Sequence, residues 1–263
     1  MTVRVIAVLR DMDAVVLDTD GVITDSARLH AAAWKTAFDT WLRDHPPADP
    51  EQGRPFDIGE DYPRYVDGKS RLDGAASFLA SRGLRLRRPE DDATVREVAA
   101  FKERLFTERL REGGVYAYPG TVRLLRVLRR EHVPLAAASA SRHAGELLAG
   151  AGVLDLFDAL VDGGEAARLG LPGKPDPALF LEAARRLATP PARAAVAEDA
   201  LAGVEAGRRG GFGLVIGVDR AARPGSGVAL LRHGADVVVR DLSDLLAADN
   251  DVRDVRDVAD PED

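Results

Sequence analysis

Five short apolar runs punctuate the chain, at Ala14–Leu17, Leu135–Ala138, Ala194–Ala197, Leu214–Val218 and Val237–Val239, and each gives way to turn-forming or polar residues. Runs this short, apolar at successive rather than alternate positions, predict strands buried on both faces, as in a parallel sheet covered by helices. Segments with helical spacing of apolar positions lie between them, at Thr121–Glu131, Ala144–Ala149, Ala178–Leu187 and Leu201–Arg209, the alternation that βαβ units require. The pattern therefore predicts an α/β fold with a doubly wound parallel sheet. It breaks once. The stretch from Leu17 to Leu135 is far too long for one crossover, so a second, smaller domain is expected within it.

That stretch reads as helical. Over Ala27–Leu42, Leu29, Ala33, Trp34, Ala37, Phe38 and Trp41 mark one face of an amphipathic helix. A loop rich in Pro, Asp and Gly follows from His45 to Gly59, then helices near Ala75–Ser81 and Thr94–Arg111, and Pro119-Gly120 mark the return. The expected organisation is a core formed by 1–25 and 115–249, a helical domain at 26–114, and a frayed acidic tail at 250–263. Met1–Arg10, interrupted by Arg4 and Arg10, reads as a leader without signal-peptide character. The glycine cluster Gly207–Gly213 follows a helix and precedes a strand, the reverse of a dinucleotide fingerprint, and reads as a helix stop and turn.

Composition narrows the partners. A formal charge of −7 disfavours sequence-independent nucleic-acid binding, which takes an excess of clustered Lys and Arg. No window approaches the ~18 consecutive apolar residues of a membrane helix, so no membrane partner is expected. The absence of cysteine removes disulfides and thiolate metal sites and fits a cytoplasmic setting. The expected state is a monomer or small homo-oligomer.

Candidate chemistry begins where the first core strand ends, in Asp18-Thr19-Asp20-Gly21-Val22-Ile23-Thr24-Asp25. Open α/β folds place ligands at this carboxyl edge, and two carboxylates separated by one residue can share a pocket while Gly21 allows a sharp turn. Taken alone, such a segment is equally an Asp-rich turn. It resembles the first motif of the haloacid dehalogenase-like phosphotransferases, and three further segments follow in that superfamily's order: Ser139 after Leu135–Ala138, Lys174 in Gly173-Lys174-Pro175-Asp176-Pro177, and Glu198-Asp199 after Ala194–Ala197. The resemblance implies that Asp18 is a nucleophile, Asp20 its proton-transfer partner, and Ser139 a hydroxyl bonded to the phosphoryl group. An aspartate attacking a phosphate needs cations against both anions. Mg2+, which prefers oxygen ligands, could be held by Asp18, the backbone carbonyl of Asp20 and Asp199, with Glu198 as a further direct or water-mediated ligand. Lys174 would neutralise Asp18 and the phosphate. The chain has only four lysines, Lys35, Lys69, Lys102 and Lys174, among 36 basic residues, so a retained Lys hints at a point contact that a guanidinium does not reproduce. For Lys35, beside Trp34, a solvated helix face is the favoured account.

A longer stretch, DTDGVITDSARLHAAAWK from Asp18 to Lys35, is similar to the β-phosphoglucomutase-like subgroup, whose helical cap follows the first motif directly. By that resemblance His30 couples the cap to Asp20, with Trp34 nearby. Gly68-Lys69-Ser70-Arg71 is similar to a cap loop whose Arg holds the phosphate that is not transferred, which points to Arg71, with Lys69 beside it. Ser141-Arg142-His143 takes the place of a Ser-basic-Asn triplet serving the same distal phosphate, His143 departing from the usual Asn. Lys102, in Phe101-Lys102-Glu103, takes the place of a cap lysine that reaches the sugar or phosphate, without the usual neighbouring Asn. Together these imply a sugar phosphate as substrate, with isomerisation between β-glucose 1-phosphate and glucose 6-phosphate expected ahead of simple hydrolysis.

Overall fold

The computed structural model describes residues 3–5, 7–47, 49–84, 86–90 and 92–248. The tail expected at 250–263 lies outside the described residues. In chain order the elements are β1 (Val3–Val5), α1 (Ala7–Arg10), β2 (Ala14–Leu17), α2 (Ala27–Asp44), α3 (Arg71–Ser81), α4 (Ala93–Gly113), α5 (Pro119–Arg130), β3 (Leu135–Ala138), α6 (Ala144–Gly150), β4 (Ala159–Val161), α7 (Gly163–Leu169), α8 (Ala178–Arg186), β5 (Ala194–Glu198), α9 (Leu201–Arg209), β6 (Leu214–Val218), α10 (Ser226–Arg232), β7 (Val237–Val239) and β8 (Leu246–Ala248).

Six strands form one parallel sheet in the order β4-β3-β2-β5-β6-β7. The apolar runs of the four inner strands are buried on both faces because successive side chains point opposite ways. Val15 and Leu17 of β2 enter a cluster with Leu124, Leu125 and Leu128 of α5, while Ala14 and Val16 enter one with Phe180 of α8 and Val204 of α9. Helix α5 buries Leu124, Leu125, Val127 and Leu128 and leaves Arg123, Arg126, Arg129 and Arg130 exposed, the one-sided pattern expected of a helix laid on a sheet.

The leader expected at Met1–Arg10 contains a strand. β1 pairs antiparallel with β8, Val5 opposite Leu246, so the two ends of the described chain are tied together. This pairing gives those backbone groups partners far away in sequence, which local pattern does not reveal.

The stretch between β2 and α5 is helical, with its own apolar cluster around Trp34, Phe38, Phe56, Phe78, Val95 and Val98. A separate small cluster of Leu29, Ala33, Phe106 and Leu147 joins it to α6 of the sheet layer. Helix α3 starts one turn earlier than the apolar pattern alone suggests, because Ser70 caps it by accepting from the Asp73 amide at 3.2 Å. No helix among the described residues is long and apolar enough to cross a membrane.

Candidate active site

The sheet order places β2 between β3 and β5, so the chain leaves β2 to one side and returns on the other. Ligands bind at such a switch point, outside the carboxyl ends of the strands. The register sets Leu17 level with Ala137 and Ala197, which brings Asp18, Ser139 and Glu198 to one edge. The Asp18 amide donates to the Ala197 carbonyl at 3.0 Å.

Lys174 lies between two carboxylates, its Nζ donating to Asp18 Oδ1 and to Glu198 Oε1, both at 2.6 Å. All three groups are buried. Burial works against the ammonium, but Asp18 and then Glu198 overcome it and raise Lys174 above its ordinary value. The other Glu198 oxygen accepts from the amides of Asp199 and Ala200 at 2.6 and 3.0 Å. Glu198 is thus committed mainly to holding Lys174 and the following turn.

Carboxylate oxygens of Asp18, Glu198 and Asp199 lie within 4.8 Å of one another. One ammonium against three carboxylates leaves surplus negative charge. Burial first, then neighbouring carboxylates, push both Asp18 and Asp199 well above the usual carboxylate range. A hard, all-oxygen set carrying unbalanced charge fits a divalent cation of the magnesium class. Gly21 makes the approach possible: its φ is +83°, and a Cβ there would lie 1.8 Å from Asp199 Oδ2. Arg220 braces the same turn, donating to the carbonyls of Gly21 and Val22 at 2.9 and 3.1 Å.

Asp20 faces a different set. Its Oδ1 accepts from Ser26 and lies 3.3 Å from His30 Nε2, and its Oδ2 accepts from Ser139 Oγ at 3.3 Å. Burial pushes Asp20 up, but His30 and Ser26 more than reverse this, and the carboxyl is held well below its usual range. Lys102 Nζ stands 2.8 Å from His30 Nδ1. An ammonium can only donate, so Nδ1 accepts and the ring proton sits on Nε2, facing Asp20. Burial and Lys102 lower His30, keeping it neutral, while burial also brings Lys102 down to about 8. His30 stacks on Phe106 with centroids 4.0 Å apart, which fixes the ring.

Trp34, Lys69, Arg71, Lys102, Ser141 and Arg142 line one cavity of about 930 Å³ that also takes in Asp18, Asp20, Lys174 and Asp199, whereas His143 is not part of its lining. Trp34 is buried, stacked on Phe38 at 4.8 Å, and lies beneath Lys102. Lys69 is held by Ser77 Oγ at 3.0 Å. Arg142 is exposed at the rim, while the Ser141 amide donates to Ser139 Oγ at 3.0 Å. Lys102, expected to reach the sugar or phosphate, lines this cavity, and its amine stands against His30. Lys35 bonds the Phe56 carbonyl at 2.7 Å and pairs with Asp39 at 2.9 Å, so it anchors a loop rather than facing solvent freely.

Three groups escape the sequence patterns. Asp67, next to the Gly68–Arg71 segment, is pushed up to about 7 by burial and by Glu198, with Tyr62 bonded to it. Gly68 explains its proximity, since a Cβ there would meet Ala200 Cβ at 2.8 Å. Ser26 gives its hydroxyl to Asp20 instead of capping α2. Glu103 accepts from both Arg71 and His143. Asp67 and Glu103 each adjoin a recognised segment, the one signal that pointed to them.

A family model for haloacid dehalogenase-like hydrolases matches residues 12–211. The chain belongs to that family. It is 39% identical over 248 residues to a β-phosphoglucomutase of Mycobacterium tuberculosis, covering 92% of this chain and 95% of the relative. A β-phosphoglucomutase of Bacillus subtilis is 35% identical over 237 residues, covering 89% and 92%. Among solved structures, a hydrolase from Pseudomonas syringae superimposes with a TM-score of 0.70 at 25% identity, over 89% of this chain and 95% of the other. The parallel sheet with the helical stretch after β2 is therefore this family's phosphotransferase and phosphatase architecture, and the chain is an enzyme of that type.

Proposed function

We propose that the chain is a magnesium-dependent β-phosphoglucomutase, interconverting β-glucose 1-phosphate and glucose 6-phosphate through a phosphoryl group carried on Asp18. One observation carries this reading. A single cavity is lined by Asp18, Asp20, Lys174 and Asp199 and also by Ser141 and the cations Arg71 and Arg142, so it offers positive charge for a second phosphate besides the one at Asp18. The extended likeness to the mycobacterial enzyme supports it.

Asp18 attacks phosphorus, the bond to the leaving sugar oxygen breaks, and Asp20 supplies the proton that oxygen takes up. Its neighbours hold Asp20 ionised in this structure, the state that accepts a proton when the other sugar hydroxyl attacks the phosphorylated Asp18. One proton thus alternates between Asp20 and successive sugar oxygens. His30 orients Asp20 through its Nε2 side, and Lys174 screens Asp18 from the incoming phosphate. Asp18, Asp199 and the Asp20 carbonyl would hold magnesium, which when bound supplies positive charge between carboxylate and phosphate.

A second reading, transfer to water, is favoured by one observation: Glu103 already neutralises Arg71, one of the distal cations. Incubation with magnesium, β-glucose 1-phosphate and a trace of the 1,6-bisphosphate separates the two. Glucose 6-phosphate is the expected product. Inorganic phosphate as the main product would replace the mutase reading with the phosphatase.

A further inference from the structure

Four charged or titratable groups meet where the helical stretch faces the sheet layer. Glu103 of α4 accepts from Arg71 Nη1 at the start of α3 through Oε2, at 2.7 Å. Through Oε1 it accepts from His143 Nε2 at the start of α6, also at 2.7 Å. The other His143 nitrogen lies 3.2 Å from Glu146. Partial burial pushes Glu103 up, but His143 and Arg71 outweigh it and bring the carboxyl to about 2, so it is an anion at any physiological pH. Arg71 Nε is buried without a hydrogen-bond partner, a donor still to be used.

These donors are arranged to hold an anion, and the anion they hold belongs to the protein. Glu103 and Arg71 both line the cavity that contains Asp18, on the side expected to receive a second phosphate. A dianion arriving there meets an Arg71 whose charge is already answered by a carboxylate tethered to α4 close by, and must either displace that carboxylate or sit beside it. The same carboxylate is held through its other oxygen by His143, which joins the helical stretch to the sheet layer and keeps Glu103 in place beside Arg71. A ligand with one phosphate, seated at Asp18, disturbs neither contact.

We propose that Glu103 is a specificity-determining residue, standing in for the distal phosphate and setting a penalty on ligands that carry two. The proposal rests on the reading that this cavity takes sugar phosphates. It reverses the simple expectation for a residue bonded to a phosphate-binding arginine. If Glu103 merely oriented Arg71, removing its charge would weaken binding of a bisphosphate; as a competitor, its removal strengthens it.

Hydrolysis of p-nitrophenyl phosphate by the full chain with magnesium gives the readout, with glucose 1,6-bisphosphate and orthophosphate as inhibitors. Glu103→Gln keeps the side-chain shape and is expected to lower the inhibition constant of the bisphosphate by at least about tenfold, leaving that of orthophosphate within about threefold. Glu103→Asp retains the charge and is expected to give no such gain. An unchanged or raised bisphosphate constant in Glu103→Gln overturns the proposal, as does an equal gain in Glu103→Asp, which would assign the effect to shape. Failure of the bisphosphate to inhibit the wild type at all overturns the sugar-phosphate reading itself, so the two failures are distinct.

Discussion

Gly21 offers a clean separation of fold from chemistry. Replacing it with Ala puts a Cβ on a residue whose φ is +83° and sets that carbon 1.8 Å from Asp199 Oδ2. The backbone strain costs about 1–2 kcal/mol of stability. The side-chain conflict is larger in consequence, because real Cβ contacts stay beyond 3.0 Å and the Asp199 carboxylate must retreat by more than an ångström. A displacement of ~1 Å in a positioned catalytic group costs about 10²-fold in rate, or about 2.7 kcal/mol of transition-state stabilisation. Gly21→Ala is therefore expected to unfold in urea with a modestly lowered midpoint, to lose about 10²-fold in kcat/KM towards p-nitrophenyl phosphate, and to need more magnesium for half-maximal rate. Because the damage passes through Asp199, adding Gly21→Ala to Asp199→Ala should cost little further activity. A Gly21→Ala protein with the wild-type magnesium response, or fully additive losses in the double variant, would refute the assignment of Gly21 to making room for Asp199.

Lys174→Met leaves Asp18 and Glu198 buried without their shared cation, so the metal-free protein should lose about 3–5 kcal/mol at pH 7 in urea denaturation. A loss below ~1 kcal/mol at pH 7 would show that the cluster does not need the ammonium. The two site histidines should titrate on opposite sides of the ordinary value of 6.5 in an NMR pH series, His143 above it because Glu103 holds its proton and His30 below it because burial and Lys102 oppose charge. The signs for stability follow: the His143 contribution is complete below 6.5 and fades as pH rises through its raised value. That of His30 is complete above 6.5 and is lost as pH falls through its lowered value. Titration of both at the ordinary value would contradict the contacts described for them.

Much of the sheet was legible because buried parallel strands leave an unmistakable local mark. Ala14–Leu17, Leu135–Ala138 and Leu214–Val218 are strands at the ends their apolar runs predict. β4 and β7 are the outer strands, each only three residues long and partly exposed, and only the second was recognisable from its unbroken valines. β1 and β8 are held by each other, and neither carries a local signal that names its partner.

The site divides along the same line. Asp18, Ser139, Lys174, Glu198 and Asp199 could be picked out because, taken together and in order, their segments resemble the motifs of the haloacid dehalogenase-like family, and the sheet order then had to bring them together. What each carboxylate faces was decided only in three dimensions. Asp18 and Asp20 are separated only by Thr19, yet burial among carboxylates raises the first while His30 and Ser26 hold the second down. Lys102 was visible as a cation and Glu103 as an anion, but their partners, His30, Arg71 and His143, come from three other parts of the chain. By itself the sequence determined which strands form and which residue types end them, since those depend on neighbours a few positions away. Tertiary structure decided the charge and the contacts of those residues, because desolvation and Coulomb energy depend on distance in space, which the order of residues along the chain does not record.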